Sequence, residues 1–261
     1  MLRDLVRRAA LEFQETLNLF PKEICLISGA PRSGTTALLD WLGHQAGVAA
    51  FQESRILVSI HRFIDEVYRF NHLERESRQL VRLARHLVVR YYASNRVLIG
   101  KQLVVDKEPL EPIAFPSREY GQFLVHVRRM FPESKILLAV RDPLATIWSM
   151  SGRTWGESLT AATAKQFTIQ EYAQNWCACA DLVLEYCHDP KTYIVQFGRL
   201  MSDPGNESRR ILEFLNLRSG RLFEARPTQS IGFNQEQAEE ILHLVQPRLN
   251  LLRAEGISQL N

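Results

Sequence analysis

Four short apolar runs are spaced along the chain, and helical periodicity fills most of the sequence between them. The runs cover residues 23–28, 102–106, 135–140 and 193–196. Their length and continuous apolar character are typical of buried parallel strands. Because strands that alternate with helices form doubly wound sheets, the pattern predicts an α/β fold. We expect three layers, α/β/α, around a central parallel sheet of about four to five strands.

Apolar residues at helical spacing predict the helices that cover this sheet. The main predicted segments are 36–42, 56–67, 80–88, 117–130 and 169–187. Ser117 is the expected cap of the fourth segment, and Asp203 followed by Pro204 is expected to start a further helix. Because no repeat or Gly/Ser-rich linker divides the sequence, we predict one domain over residues 1–261.

Composition and charge narrow the class of protein. Of the 261 residues, 46% are apolar and 23% are charged, which is ordinary for a globular protein. A formal net charge of +3 suits a local site for a small anion and does not indicate nucleic-acid binding. The four cysteines lack the spacing of a zinc site, so we expect no metal. The charged N-terminal segment predicts neither a signal peptide nor a membrane span, and we expect a cytoplasmic protein.

The segment 29–36, GAPRSGTT, follows the first predicted strand and precedes a predicted helix. It differs from a Walker A loop because a threonine, rather than a lysine, follows its second glycine. A tight turn at a helix N-terminus nevertheless binds anions through backbone N–H groups. We therefore expect a cofactor phosphate here; the alternative is a turn without a ligand. The expected cofactor-binding residues are Pro31, Arg32, Ser33, Gly34, Thr35 and Thr36.

A second anion site is expected where the strand over 135–140 ends. This strand places Arg141 at the carboxyl edge of the sheet, where the ligands of doubly wound folds collect. Pro143 opens a helix that brings Ser149 back within reach about two turns later. An arginine can hold a phosphate through two parallel hydrogen bonds. The alternative is a surface ion pair between Arg141 and Asp142.

These two segments resemble motifs of the sulfotransferases that depend on 3′-phosphoadenosine 5′-phosphosulfate (PAPS). The stretch PRSGTT is similar to their 5′-phosphosulfate loop, and an arginine at Arg32 is typical of the tyrosylprotein-sulfotransferase-like branch. The resemblance extends over residues 23–216 and implies that Arg141 and Ser149 bind the 3′-phosphate. It therefore implies PAPS as co-substrate and transfer of its sulfuryl group to an acceptor hydroxyl.

The same resemblance implies the catalytic groups. The stretch FQESRIL is similar to the Glu-Glu-Thr-Arg stretch of tyrosylprotein sulfotransferases, which makes Glu53 the candidate general base and Arg55 the candidate acceptor-binding residue. Lys107 in VVDKEP matches a family lysine and is expected, together with Arg32, to stabilise the leaving phosphate. Glu108 is the rival base, and the alternative for Glu53 is a solvated acid.

Two other functions stay open on the sequence: a P-loop kinase or NTPase, and a non-catalytic nucleotide-binding module on the same fold. The missing Walker lysine disfavours the first. For the acceptor, a small-molecule, carbohydrate or lipid-like hydroxyl is favoured over a protein tyrosine. The helices over 56–92 are expected to form the wall of the acceptor pocket. Because these helices are rich in apolar residues, they favour an apolar acceptor. At Phe197 and Gly198 the family often has Tyr-Glu. Arg226 and Ser230 lie in a C-terminal segment that is a candidate cap of the nucleotide.

Overall fold

One parallel sheet of five strands organises the part of the chain that the structure describes. The computed structural model describes residues 23–71, 78–112, 116–153, 167–218, 220–225 and 232–260. The strands are β1 (Glu23–Gly29), β2 (Val48–Gln52), β3 (Leu103–Lys107), β4 (Lys135–Val140) and β5 (Thr192–Gln196). Their order is β2-β3-β1-β4-β5, and every neighbouring pair is parallel. The predicted α/β fold is confirmed.

Helices connect successive strands, as parallel pairing requires. They are α1 (Thr35–Gly43), α2 (Ile56–Asn71), α3 (Arg78–Asn95), α4 (Tyr120–Met130), α5 (Pro143–Ser151), α6 (Ile169–Tyr186), α7 (Phe197–Ser202), α8 (Pro204–Phe214) and α9 (Gln235–Ala254). The side chain of Asp203 caps α8 as predicted, by accepting a hydrogen bond from the amide of Asn206. The prediction that Ser117 caps α4 was wrong, because Ser117 lies inside a 3-10 turn (Ser117–Glu119) that precedes that helix.

Side chains of each strand alternate between the two faces of the sheet, and this builds two separate cores. In β1, Ile24 and Leu26 pack into one core, whereas Cys25 and Ile27 pack into the other. The first core is covered by α2, α3, α4, α5, α6 and α9, and the second by α1, α7 and α8. The predicted three layers are therefore present.

The connections at the centre of the sheet create a crevice at its carboxyl edge. The strand β1 lies between β3 and β4 and leads into α1 on one face, whereas the adjacent β4 leads into α5 on the opposite face. When the connections after two neighbouring parallel strands run to opposite faces of the sheet, a gap forms between the two loops at the carboxyl edge. The fold thus places a crevice between the segment 30–34 and Arg141.

The close contact between β1 and β4 requires a glycine where β1 ends. Gly29 has a φ of +129°, and a Cβ atom there would lie 2.3 Å from the carbonyl oxygen of Ala139 in β4. A backbone oxygen within a central strand has little freedom to move. A side chain at this position would therefore separate the two strands that flank the crevice.

We expect Gly29→Ala to lower the free energy of unfolding by about 3 kcal/mol or more, because it adds a backbone clash to the strain of a positive φ. The matched control is Gly100→Ala, whose φ is +75° but whose Cβ would meet no described atom within 4 Å. Strain alone should cost this control about 1–2 kcal/mol. Urea denaturation measures both variants, and equal losses would show that the contact with β4 is unimportant.

Candidate active site

Candidate residues at the carboxyl ends of four strands meet at one edge of the sheet. The segment 30–34 follows β1, Glu53 follows β2, and Arg141 follows β4. Lys107 is the last residue of β3, the strand that lies between β2 and β1. Parallel strands end at the same edge, so one row of loops collects residues that are far apart in the sequence.

The loop after β1 is a compact turn that opens α1. Arg32 and Gly34 adopt positive φ angles of 69° and 95°, and the hydroxyl of Ser33 donates to the carbonyl oxygen of Ala30 at 2.6 Å. Gly34 is the N-cap residue of α1, and no described side chain caps this helix start. The first N–H groups of a helix lack intrahelical acceptors and carry partial positive charge. The loop therefore offers donors to an anion.

The two predicted anion sites are adjacent. The Nε atom of Arg32 donates to the Ser149 hydroxyl at 2.9 Å, and Arg141 donates from Nη1 to the carbonyl oxygen of Arg32 at 3.2 Å. The Arg141 guanidinium lies over the Phe197 ring, 4.5 Å from its centroid. Burial, followed by the nearby cations of Arg153 and Arg141, lowers the pKa of Arg32. Such a concentration of positive charge is stabilised by a bound anion.

A cleft of about 510 Å³ opens beside these arginines. Four aromatic side chains contribute to its lining: Trp41, Trp148, Phe197 and Phe223. The same lining includes Arg32, Arg141 and Ser149. A pocket that combines aromatic walls with a few convergent polar groups suits a small anionic ligand with a planar ring.

Lys107 connects the candidate base to the anion-binding loop. Its ammonium donates to the Glu53 carboxylate at 2.5 Å and to the Thr36 hydroxyl in the first turn of α1 at 3.0 Å. The Lys107 side chain is only 3% exposed, whereas that of Glu53 is 32% exposed. The lysine is thus fixed between two partners, and the carboxylate remains accessible from solvent.

Arg55 contacts Glu53 and two further acidic side chains, Glu108 and Glu111. Its Nη2 atom lies 3.3 Å from Oε2 of Glu53 and 2.7 Å from Oε2 of Glu111, and its backbone N–H donates to Glu108 at 2.5 Å. Glu53 and Arg55 adopt positive φ angles of 48° and 58°. Each such angle costs about 1–3 kcal/mol in a residue other than glycine, and such residues cluster at functional sites.

The two candidate bases, Glu53 and Glu108, differ in how deeply their carboxyl groups are buried. Glu108 is almost completely buried, and this desolvation, followed by the charge of Asp106, raises the pKa of Glu108 from 4.5 to about 8. Its carboxyl therefore holds a proton near neutral pH and does not readily accept another. Glu53, which is partly exposed and paired with Lys107, is the better placed acceptor of a proton.

A match to a known protein family identifies the class of this protein. The model of the sulfotransferase family matches residues 25–219, well over half of the chain. The chain belongs to the sulfotransferase family. Among curated relatives, a protein-tyrosine sulfotransferase of Drosophila melanogaster is 24% identical over 211 residues, with 74% of this chain and 38% of that protein covered. The nodulation protein NoeE of Sinorhizobium fredii is 24% identical over 218 residues, with 72% and 49% covered.

Solved structures of other sulfotransferases share this fold. The enzyme of Alicyclobacillus acidocaldarius matches with a TM-score of 0.58 at 16% identity, covering 92% of this chain and 97% of that one. The sulfotransferase STF9 of Mycobacterium avium matches with a TM-score of 0.55 at 12% identity, covering 92% and 80%. This sulfotransferase spans 38–53% of the length of the curated relatives it matches. None of the helices that the structure describes is long and apolar enough to cross a membrane.

The predicted family is thus confirmed, and the roles of single residues stay predictions. The structure brings Arg32 together with Arg141 and Ser149, and it brings Glu53 together with Lys107 and Arg55. The aromatic walls of the cleft and Glu111 were not predicted from the sequence. Of these, only Phe197 carried a signal, because it follows a predicted strand where the family often has tyrosine. The candidate caps Arg226 and Ser230 lie outside the described residues.

The buried proton on Glu108 predicts how stability depends on pH. Because the folded sulfotransferase keeps a proton that the unfolded chain releases, the free energy of unfolding should fall as pH rises from about 4.5 to about 8. Glu108→Gln should flatten this fall, and the exposed Glu213→Gln should not. Urea denaturation from pH 5 to pH 9 measures the slopes. Parallel curves for the wild type and Glu108→Gln would contradict the assignment.

Proposed function

We propose that this sulfotransferase moves the sulfuryl group of PAPS to an acceptor hydroxyl, with Glu53 as general base. One observation carries the proposal: the buried ammonium of Lys107 contacts both the Glu53 carboxylate and the Thr36 hydroxyl. A proton acceptor and an anion-binding helix start are thereby held on either side of one cation. Sulfuryl transfer needs these three elements together, because a hydroxyl loses a proton while a phosphate gains charge.

The cofactor is assigned from the arrangement of cations. We place the 5′-phosphosulfate at the loop that opens α1, where backbone N–H groups and the Thr36 hydroxyl are available. The predicted Ser33 hydroxyl is not available, because it is buried and donates to the carbonyl oxygen of Ala30. We place the 3′-phosphate at Arg141 and Ser149, and the adenine in the aromatic cleft beside them. The contact between Arg32 and Ser149 supports this assignment, because a single bis-phosphorylated nucleotide would require both phosphate sites in one crevice.

The reaction is a direct displacement at sulfur. The acceptor oxygen loses its proton to Glu53 and forms the new S–O bond, while the bond from sulfur to the bridging phosphate oxygen breaks. The leaving nucleotide, 3′-phosphoadenosine 5′-phosphate (PAP), keeps the electron pair of the broken bond. Lys107, which lies nearest to Glu53, stabilises the bridging oxygen. Arg32, which lies with Ser149, stabilises the other oxygens of the leaving phosphate.

Residues around Glu53 indicate a polar acceptor. A cleft of about 950 Å³ adjoins Glu53 and runs along the outer strand β2 to the end of α3. Polar side chains dominate its lining: Asp40, His44, Gln52, Ser54, Tyr91, Asn95, Arg96 and Lys101. This lining does not support the expectation of an apolar acceptor, although α3 does contribute to the wall as expected. We infer an acceptor with several hydroxyl or other polar groups, and we assign Arg55, which contacts Glu53, to orient it.

Transfer of label from sulfur-35 PAPS to small molecules of a cell extract tests the function, with mass identification of the product. The proposal expects a sulfated, polar product that forms only with active protein. Binding of PAP without transfer to any acceptor would indicate the non-catalytic module instead. Transfer of phosphate from ATP would instead support the kinase alternative, which the family match does not support.

Glu53→Gln should lower turnover by about two to four orders of magnitude, because the amide cannot accept the acceptor proton. The affinity for PAP should change little, since Glu53 contacts the cofactor site only through Lys107. The control is Glu213→Gln, which removes an exposed carboxylate on α8. Turnover from the labelled-donor assay and PAP affinity from calorimetry give the two readouts. Unchanged turnover would remove Glu53 from the mechanism.

A further inference from the structure

The exposed face of helix α3 carries arginines that the proposed sulfuryl transfer does not use. The helix contains four arginines and no aspartate or glutamate, and its other face packs in the first core. Arg78, Arg82 and Arg85 follow one another at spacings of four and three residues. Because residues three and four apart are neighbours on a helix surface, these arginines form one exposed row.

Within the part of the chain that the structure describes, no carboxylate forms an ion pair with any of these three arginines. The Arg85 guanidinium instead lies over the Phe131 ring, 5.7 Å from the ring centroid. A row of like charges without counter-charges gives a surface a local positive potential, although the net charge of the whole chain is only +3. This face of α3 therefore attracts an anionic partner.

Two leucines are exposed beside the arginine row. Leu83 and Leu87, one helical turn apart, are 49% and 41% exposed. Arg90 lies three residues after Leu87 and continues the same side of the helix. Single exposed leucines are common, but adjacent leucines bordered by cations are typical of helices that lie in the headgroup region of a membrane. There the leucines reach the acyl boundary, while the long arginine side chains extend to the lipid phosphates.

A cleft next to the arginine row has the lining that a phospholipid headgroup needs. Its volume is about 430 Å³, and it lies between α3 and the end of α4. Four arginines and three apolar residues line it: Arg78, Val81, Arg82, Arg85, Arg129, Met130 and Pro132. Guanidinium groups hold a phosphate through parallel hydrogen bonds. The apolar part of the lining suits the glycerol and first methylene groups of a lipid.

The shape of this surface favours a membrane over a macromolecular partner of fixed shape. The arginines and leucines lie on the convex side of a single helix, and fluid lipid headgroups can rearrange around such a surface. A folded acidic protein would need a groove with a carboxylate opposite each arginine, and RNA would gain nothing from the leucines. The end of the same helix, with Tyr91 and Asn95, lines the acceptor cleft, so a membrane along α3 would extend toward that cleft.

We propose that α3 docks this sulfotransferase on an anionic membrane surface. Arg78, Arg82 and Arg85 contact the lipid phosphates, and Leu83 and Leu87 enter the headgroup region. The docking is peripheral, because only one face of the helix meets the lipid. It does not rest on the proposed sulfuryl transfer, since membrane binding is measured without PAPS or an acceptor.

Cosedimentation of the full chain with lipid vesicles tests the surface. One set of vesicles contains only phosphatidylcholine, and the other also contains about 30% phosphatidylglycerol, which gives a negative surface potential. We expect at least ~10-fold stronger binding to the anionic vesicles. This binding should weaken as the salt concentration rises from about 0.1 M to about 0.5 M, because salt screens the attraction between the arginines and the lipids.

Matched variants locate the binding on α3. The double variant Arg82→Gln/Arg85→Gln should weaken binding to the anionic vesicles by about 20- to 30-fold, since each cation near such a surface contributes about fivefold. Leu83→Gln should weaken it about 10-fold through lost apolar burial. The controls lie on α8 and α9: the exposed pair Arg209→Gln/Arg253→Gln, and Leu251→Gln, whose leucine is 54% exposed. Both controls should bind within about 2-fold of the wild type, and circular dichroism checks that each variant is folded.

Three results would overturn the proposal. The first is wild-type binding that is no stronger to anionic than to neutral vesicles at up to about 1 mM lipid. The second is an equal loss of binding in Arg82→Gln/Arg85→Gln and in Arg209→Gln/Arg253→Gln, which would make net charge rather than α3 responsible. The third is retention on polyglutamate or RNA without binding to vesicles, which would assign this face to an acidic macromolecule.

Discussion

The buried ammonium of Lys107 is the interaction on which the site depends. A charge that is 3% exposed is tolerated only where it is paired, and Lys107 is paired with Glu53 and hydrogen-bonded to Thr36. These partners belong to the ends of two other structural units, β2 and α1. The lysine therefore fixes the distance between a candidate base and a candidate phosphate loop. Removing either partner would leave a buried charge short of compensation.

The same edge of the sheet separates charge by sign. Arg32, Arg141 and Arg153 concentrate positive charge on the side of the crevice that adjoins α5. Around Arg55, by contrast, Glu53 and Glu111 concentrate negative charge. In the proposed reaction, the anionic donor would bind on the first side, and the second side would accept the proton of the acceptor hydroxyl. Lys107 lies at the boundary between the two, which is where the transferred group would pass.

Much of the fold could be predicted from local sequence patterns. The strand over 135–140, for example, was predicted with the bounds that the structure gives it. The edge strand β2 was not predicted, because VAAFQ has only five residues and two of them are alanines, which are depleted in strands. Helix α9 was missed although Ile241, Val245 and Leu249 recur at helical spacing, since Pro247 interrupts the run.

Candidate site residues could be proposed from the sequence where a motif keeps them together, but not where only packing does so. The loop over 31–36 and Glu53 could be identified from short stretches. The contact between Arg32 and Ser149 joins residues 117 positions apart, and no local pattern encodes it. The buried protonated state of Glu108 likewise depends on the sheet that surrounds it, because desolvation is a property of the whole fold.

Comparing the affinities of PAP and adenosine 5′-phosphate for the wild-type chain tests the central claim most directly. The two nucleotides differ only by the 3′-phosphate, which we assign to Arg141 and Ser149. Because an arginine contact to a phosphate contributes about 1.5–3 kcal/mol, calorimetry should show PAP binding at least ~10-fold more tightly. Equal affinities, or no binding of PAP at high micromolar concentration, would contradict a single crevice that holds both phosphates.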